Sequence, residues 1–309
     1  MAAVLRNRFG FEPEPVSCGF AAAAGNAERV GLLLPQRSDD DGNDEREFGL
    51  GSVLIWARRE TREVVVIAPP DRAGTLARQA THFPGVNIYT IEGTTLVETT
   101  PEELDPIPEL TDAALGRADL IRSVGARPVD DFGYLIAEMH GLEIARVDRD
   151  GTMQIGVGTA DRELHGYVHV NTDPAESLRK AAEMVSAIRA QGASSHPLNR
   201  RARQRWLRSA LADNPSAVGA ERLDLLPPLG ERVLQLGPEP AASLDSTANT
   251  VYVFSAGIDP DVVPLATDYR RRHDPERTVI VTSRRDAFPA TASIAAAAGI
   301  EIVAVDAPY

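Results

Sequence analysis

A dense block of arginine is the part of this sequence best suited to binding chemistry. The stretch HPLNRRARQRWLR, residues 196–208, carries five arginines in nine positions of a chain whose formal net charge is −13. Guanidinium groups pair with phosphate oxygens, and the N-terminus of a helix favours anions. One helix beginning near Pro197 would present the arginines on an outward face. The candidate phosphate or nucleic-acid contacts are His196, Asn199, Arg201, Arg205 and Arg208.

The same stretch has a purely structural interpretation. Leu198, Ala202, Trp206 and Ala210 fall four residues apart, which is the spacing of an apolar stripe on a helix. A helix docked through this stripe would let its arginines pair with the protein's own carboxylates. The sequence leaves both interpretations open, because the answer depends on where the helix packs.

A second candidate site follows two buried strands near the C-terminus. NTVYVFSAG and RTVIVTS read as strands that end in SAGID and TSRRD. Ligands of open parallel sheets bind outside the carboxyl ends of the strands. The candidate ligand contacts are Ser255, Gly257, Asp259, Ser283, Arg284, Arg285 and Asp286. The alternative is that these polar residues only cap loops and helices, with Asp259 as a helix cap.

Two further patterns fit a ligand site incompletely. GVGTADRE, from Gly156, lacks the third glycine of a dinucleotide-binding loop. DRELHGYVH, residues 161–169, would place two histidines and two carboxylates on one face of a strand. Its two histidines would be ~13 Å apart on that strand, too far to share a metal ion. We therefore assign no metal site.

The order of elements predicted for the N-terminal region is β-β-α-β, which resembles the core of PD-(D/E)XK nucleases in topology. The corresponding strand, VVVIAPP, has neither the acid nor the lysine of that active site. Glu138 with Glu143 forms another acidic set that also lacks a lysine. A nucleic-acid-associated protein on a degenerate nuclease-like core is accordingly an alternative hypothesis.

Several kinds of catalysis are excluded by the residues that the chain lacks. Lys180 is the only lysine and is followed by alanine, so there is no Walker A loop or placed Schiff-base lysine. The sequence contains no G-x-S-x-G elbow and no H-E-x-x-H helix. Cys18 lies in an alanine-rich stretch without an evident basic partner. We assign no catalytic residue, and the sequence names no cofactor.

Composition bounds the class of protein. The chain has 309 residues, 43% of them hydrophobic, and its single cysteine precludes a disulfide framework, which predicts a reducing compartment. No apolar stretch approaches the ~18 residues of a membrane helix. We expect a cytoplasmic protein without membrane contact. The strongly acidic balance argues against a general nucleic-acid coat.

The elements that must position these candidates predict an α/β fold. SVLIWARRE and TREVVVIAPP are expected to be strands, and RPVDDFGYLIAEMHG a helix that precedes a hairpin formed by LEIARVDRDG and TMQIGVG. The last region should form a Rossmann-like parallel βαβαβ unit. No repeat of fixed period is evident. The expected regions are an irregular segment (1–46), an N-terminal α/β unit (47–104), a helical and hairpin middle (105–215), a Pro/Leu-rich connection (216–247) and the Rossmann-like unit (248–309).

Three stretches together suggest a family. LEIARV…IGVGTADRE, HPLNRRARQRWLR and SAGIDPDVVP resemble a conserved actinobacterial protein family of unknown function. The resemblance covers roughly residues 105–309. It implies an actinobacterial source and supplies no activity, cofactor or site residue.

The residues leave three functional hypotheses. The first is a non-catalytic ligand-binding or interaction protein, whose ligand is a phosphate-bearing small molecule or whose partner is a protein. The second is the nucleic-acid-associated protein. The third is a nucleotide-using enzyme with its site at the C-terminal strand ends.

Overall fold

The chain folds into helices and three β-sheets, as a computed structural model describes for residues 1–35, 49–157, 173–190, 192–230 and 241–309. The α/β class is therefore confirmed. The helices are α1 (Ala2–Phe9), α2 (Leu50–Ala57), α3 (Pro70–Ala80), α4 (Asp112–Leu115), α5 (Ala118–Ser123), α6 (Pro174–Ile188), α7 (Arg203–Asp213), α8 (Val262–His273) and α9 (Pro289–Ala297). The strands are β1 (Glu14–Val16), β2 (Ala22–Gly25), β3 (Arg29–Leu33), β4 (Glu63–Ile67), β5 (Val86–Glu92), β6 (Thr95–Glu98), β7 (Arg127–Asp130), β8 (Leu135–Met139), β9 (Leu142–Val147), β10 (Met153–Ile155), β11 (Asp224–Leu226), β12 (Ala242–Asp245), β13 (Thr250–Ser255), β14 (Arg277–Ser283) and β15 (Glu301–Val305).

The described residues divide into two compact units. Unit 1 comprises Met1–Leu104, Ile258–Arg272 and Phe288–Glu301. Unit 2 comprises Asp105–Gly257, His273–Ala287 and Ile302–Tyr309. The two helices between the C-terminal strands group with unit 1.

Sheet 1, in unit 1, contains β1 to β6 in that order. β1, β2 and β3 pair antiparallel, whereas β3, β4 and β5 run parallel. The expectation that residues 1–46 are irregular is wrong for the described part. Asn26 closes the β2–β3 hairpin, because its side chain accepts the Arg29 N–H at 2.8 Å. The alanine-rich β2 gives little strand signal on its own, and this pairing stabilises it.

The segment SVLIWARRE, expected as a strand, forms α2 instead. Leu50, Val53 and Leu54 are buried at helical spacing. A short apolar run does not distinguish a helix from a buried strand by periodicity alone. The order in this region is therefore α2-β4-α3-β5-β6 rather than β-β-α-β.

Helices α8 and α9 contribute to the interior of unit 1. α9 packs against α2. Arg78 on α3 forms a buried ion pair with Asp268 on α8, with 2.8 Å between Nε and Oδ1. These contacts explain why the two helices belong to unit 1.

Sheet 2, in unit 2, is an antiparallel meander in the order β10-β9-β8-β7. The expected hairpin is confirmed as β9 paired with β10, and α6 is confirmed with Asp173 as its N-cap. The helix expected at RPVDDFGYLIAEMHG is wrong, because these residues form β7 and β8. Phe132 and Gly133 adopt φ values of 57° and 80° between them, which no helix accommodates.

Sheet 3, also in unit 2, has the order β11-β12-β13-β14-β15. β11, β12 and β13 pair antiparallel, and β13 runs parallel to β14. Leu207 and Leu211 of α7 pack against Tyr252 and Phe254 of β13.

The described elements show the same order twice. A helix, three antiparallel strands and then helix, strand, helix, strand occur as α1 to β5, and again as α7 to β15. In each case the leading helix packs on the sheet that follows it. The sequence showed no fixed-period repeat, and the recurrence lies in topology.

Candidate functional site

The arginine stretch does not form one helix. Pro197–Arg200 is a 3₁₀ helix, and Ala202 interrupts the chain with φ 47° before α7 begins at Arg203. Leu198 and Ala202 consequently pack against the core of sheet 2, while Leu207 packs against sheet 3. The expected continuous outward face of arginine is therefore split.

Two of the five arginines point into the protein. Arg205 and Arg208 are each only 2% exposed. Arg205 lies 2.9 Å from an oxygen of Asp131, and Arg208 lies 2.6 Å from an oxygen of Glu138. For Arg205 and Arg208 the structure therefore favours pairing with the protein's own carboxylates over an outward phosphate-binding face.

The acidic set predicted from sequence is neutralised in the same place. Glu138 pairs with Arg208, and Glu143 lies 3.1 Å from Arg146, which also contacts Asp131. Buried carboxylates held by arginine are poor metal ligands, since their charge is already compensated. The ranges that the structure describes contain no group of acidic, histidine or cysteine side chains suited to a metal ion. The pattern at 161–169 lies outside those ranges.

The remaining candidates of the stretch lie near its start. His196 is exposed and caps the 3₁₀ helix, because its Nδ1 accepts the Leu198 N–H at 3.2 Å. The Asn199 side chain donates to the Ile188 carbonyl, and Arg201 is exposed. These three residues have hydrogen-bond partners within the protein or face solvent.

The C-terminal strand ends come together as expected for a sheet edge, with one exception. Ser255 and Ser283 are buried at the ends of β13 and β14. The Gly257 N–H donates to Asp286 at 2.9 Å, which ties the two loops together. Asp259 instead lies in unit 1, where it accepts the Asp261 N–H at the start of α8.

Tyr309 joins the arginine stretch to the strand ends. The guanidinium groups of Arg203 and Arg285 each lie 5.2 Å from the centroid of its ring. Trp206 packs beside it at 5.8 Å between ring centroids. Burial raises the pKa of Tyr309 to about 12. Tyr309 and Arg203 were not among the candidate contacts, because no local spacing relates them to residue 285.

The arginines of this edge are held weakly by carboxylates. Arg284 pairs with Asp306 at 3.1 Å, and Arg285 with Asp286 at 3.7 Å, with both arginines largely exposed. Exposed pairs of this kind contribute little free energy. Arg203 hydrogen-bonds the Asn199 carbonyl and has no carboxylate within ion-pair distance in the described part of the chain. We call Arg203, Arg284, Arg285 and Tyr309 the arginine edge.

Other sequence candidates have structural places. Gly156 follows β10, and its N–H continues the sheet by donating to the Ile144 carbonyl at 2.9 Å, rather than opening a helix. Lys180 pairs with Glu176 on the exposed side of α6. Among the helices of the described ranges, none combines the length and apolar character that a membrane crossing requires.

Unit 1 contains a cavity that no sequence candidate lines. It has a volume of about 780 Å³ and lies where β3 and β4 end. Its lining is formed by Phe20, Ala21, Ala22, Leu33, Leu34, Pro35, Ile67, Ala68, Pro69, Pro70 and Ile91.

Comparisons with protein-family models, with curated proteins and with solved structures find no match to this chain.

Proposed function

We propose that this protein is a non-catalytic binding protein whose ligand carries a phosphate, and that the arginine edge holds the phosphate. The observation that carries the proposal is the position of Arg203. It is a partly buried guanidinium without a carboxylate partner in the described residues, on the same aromatic ring as Arg285. An oxyanion would supply the missing charge.

The location supports the proposal. A Rossmann-like arrangement of β13, β14 and β15 would bring ligands to the carboxyl ends of these strands. Arg284 and Arg285 follow β14 at that end. The guanidinium groups of Arg284 and Arg285 are exposed, and Arg285 lies 3.7 Å from its carboxylate partner, so that a doubly charged phosphate can compete for them at small cost.

The two alternative hypotheses receive less support. A nucleic-acid surface needs a row of accessible cations, and burial of Arg205 and Arg208 removes two from that row. A nucleotide-using enzyme needs a residue poised for catalysis. Tyr309, with its raised pKa, stays neutral near neutrality and is a poor general base. Cytoplasmic localisation is part of the same proposal, since the chain has one cysteine, Cys18.

Calorimetric titration of the full chain with inorganic pyrophosphate and with ATP tests the proposal. We expect saturable binding that Arg203→Gln weakens about tenfold or more, because a hydrogen bond to a charged group contributes about 1.5–3 kcal/mol. Arg122→Gln is the matched control, since Arg122 is an exposed arginine on α5 that is 60% accessible and pairs with Asp119. That variant should bind like the parent.

The same titration separates the alternatives. Equal affinity of the Arg203→Gln and parent proteins would refute the arginine edge as the phosphate site. Binding of a short single-stranded oligonucleotide with steep salt dependence, without binding of pyrophosphate, would favour the nucleic-acid hypothesis. Turnover of ATP would refute the non-catalytic part.

A further inference from the structure

The cavity of unit 1 lies where ligands bind in parallel sheets. Leu33 ends β3, Ile67 ends β4 and Ile91 lies near the end of β5, and these three strands are parallel. Loops at the carboxyl ends of parallel strands leave a crevice between them. The volume of about 780 Å³ falls within the range of small-molecule pockets, about 300–1,000 Å³.

The side chains around the cavity are all apolar. Each lining residue is alanine, leucine, isoleucine, phenylalanine or proline. No carboxylate, guanidinium, amide or hydroxyl side chain is among them. A ligand bound here would gain free energy by removing apolar surface from water and would find no ionic partner.

The main chain at the strand ends also offers few free donors. The Leu34 N–H donates to the Ile67 carbonyl at 2.9 Å, and the Ala68 N–H donates to the Tyr89 carbonyl at 2.8 Å. These bonds continue the sheet one residue beyond β3 and β4. These two N–H groups of the lining are therefore satisfied within the protein.

The helix that begins at the cavity is unsuited to anions. α3 has Pro69 as N-cap and Pro70 as its first residue, so two of the N–H groups normally found at a helix start are missing. The Arg72 N–H is used by the Pro69 carbonyl at 3.1 Å. Asp71 adds a negative charge in the first turn. Such an N-terminus disfavours phosphate or carboxylate ligands.

We infer that this cavity is a second binding site, which takes an uncharged apolar small molecule. The position and volume of the cavity fit a small molecule. Its apolar lining and the lack of N–H donors at the start of α3 favour an uncharged ligand. The inference goes beyond the phosphate proposal and does not depend on it, because every lining residue belongs to unit 1 and the arginine edge belongs to unit 2.

Fluorescence titration of the full chain with N-phenyl-1-naphthylamine, an uncharged apolar fluorophore, tests the inference. We expect saturable binding with one site per chain. 1-Dodecanol should displace the fluorophore at concentrations at least about tenfold lower than dodecyl phosphate, which has the same chain and a charged end.

Two alanine substitutions in β2 provide the matched pair. Ala22 lines the cavity and is exposed, so that Ala22→Trp should fill the mouth without disturbing the fold. Ala23 is its neighbour on the opposite face of the strand, and Ala23→Trp should leave binding intact. We expect Ala22→Trp to lower fluorophore affinity at least about tenfold.

Three results would overturn the inference. The first is absence of saturable binding to the folded parent protein. The second is an equal effect of Ala22→Trp and Ala23→Trp, with circular dichroism confirming that both are folded. The third is equal displacement by dodecanol and dodecyl phosphate, since an apolar cavity must discriminate between them. None of these results concerns pyrophosphate binding, so the two proposals fail separately.

Discussion

Sheet 1 and sheet 3 are built by the same order of elements, yet the turns after their equivalent strands carry opposite chemistry. The turn after β4 reads Ala-Pro-Pro-Asp, residues 68–71, and borders an apolar cavity. The turn after β14 reads Ser-Arg-Arg-Asp, residues 283–286, and forms part of the arginine edge. The same order of elements therefore carries an apolar turn after β4 and a turn with two arginines after β14.

The leading helices of the two sheets differ as well. α1 packs on sheet 1 through Val4 and Leu5, and its Arg6 faces solvent with Glu12. α7 packs on sheet 3 through Leu207 and also inserts two arginines toward sheet 2. A helix that packs on one sheet needs one apolar stripe. α7 instead contacts sheet 3 through apolar side chains and sheet 2 through buried arginines.

The largest expected effect tests the second contact of α7. Arg208→Ala should reduce the free energy of unfolding by about 3–5 kcal/mol, because Glu138 would lose its closest cationic partner while buried. Arg6→Ala, at an exposed pair on α1, should leave the unfolding midpoint unchanged. Urea unfolding followed by tryptophan fluorescence and circular dichroism measures both. Equal unfolding midpoints for the Arg208→Ala and Arg6→Ala variants would show that the buried pair of α7 stabilises the fold no more than the exposed pair of α1.

Substitution of two glycines tests how closely the neighbouring backbone contacts α7 and α1. A Cβ on Gly141 would lie 2.2 Å from the Trp206 backbone nitrogen in α7, and its φ of 83° adds strain. A Cβ on Gly31 would meet the movable end of Leu5 in α1 at 2.8 Å. Gly141→Ala should cost about 2–4 kcal/mol and more than Gly31→Ala, as measured by urea unfolding. The reverse ranking would contradict a rigid contact at α7.

Exchanging the prolines of α3 would make the two strand-end turns more alike. Pro69→Ser with Pro70→Ala restores two N–H groups at the cavity. An anion at a helix N-terminus gains about 0.3–1 kcal/mol. The affinity for dodecyl phosphate should therefore rise up to about fivefold relative to the affinity for dodecanol. Competition against N-phenyl-1-naphthylamine measures the ratio. Pro35→Ala, which changes a lining proline away from the helix start, should leave it unchanged.

A last expected effect concerns the arginine edge at high pH. Burial raises the pKa of Tyr309 to about 12, above the value of about 10 for an unfolded tyrosine. The fold thus favours the neutral phenol, and this contribution to stability is present below about pH 10 and is lost as the pH rises through about 12. Tyr309→Phe should make the alkaline decline in the unfolding midpoint shallower. Identical declines would contradict the shifted pKa.

Local patterns predicted part of this fold. The parallel pair β13 and β14, the β9–β10 hairpin and α6 with its Asp173 cap each follow from residues close in sequence. The errors fall where short apolar runs fit two structures. SVLIWARRE became a helix and the run from Leu135 became a strand, because packing partners decided between them.

The candidate sites were predictable to a smaller degree. The proximity of the loops after β13 and β14, which the Gly257 N–H to Asp286 bond joins, was predictable because a topological rule places such strand ends together. The inward turn of Arg205 was not, since its partner Asp131 lies 74 positions away along the chain. Tyr309 likewise meets Arg203 only through the packing of α7. The cavity of unit 1 was not predicted from the sequence, because none of its lining residues is charged.

The division of the C-terminal helices and strands has a consequence for biosynthesis. The chain passes from one unit to the other at residues 104–105, 257–258, 272–273, 287–288 and 301–302. Unit 1 therefore lacks α8 until about residue 273 and α9 until about residue 297 has been synthesised, although most of the unit is translated first. During that interval α2 lacks the packing of α9, and Arg78 of α3 lacks its ion-pair partner Asp268 of α8.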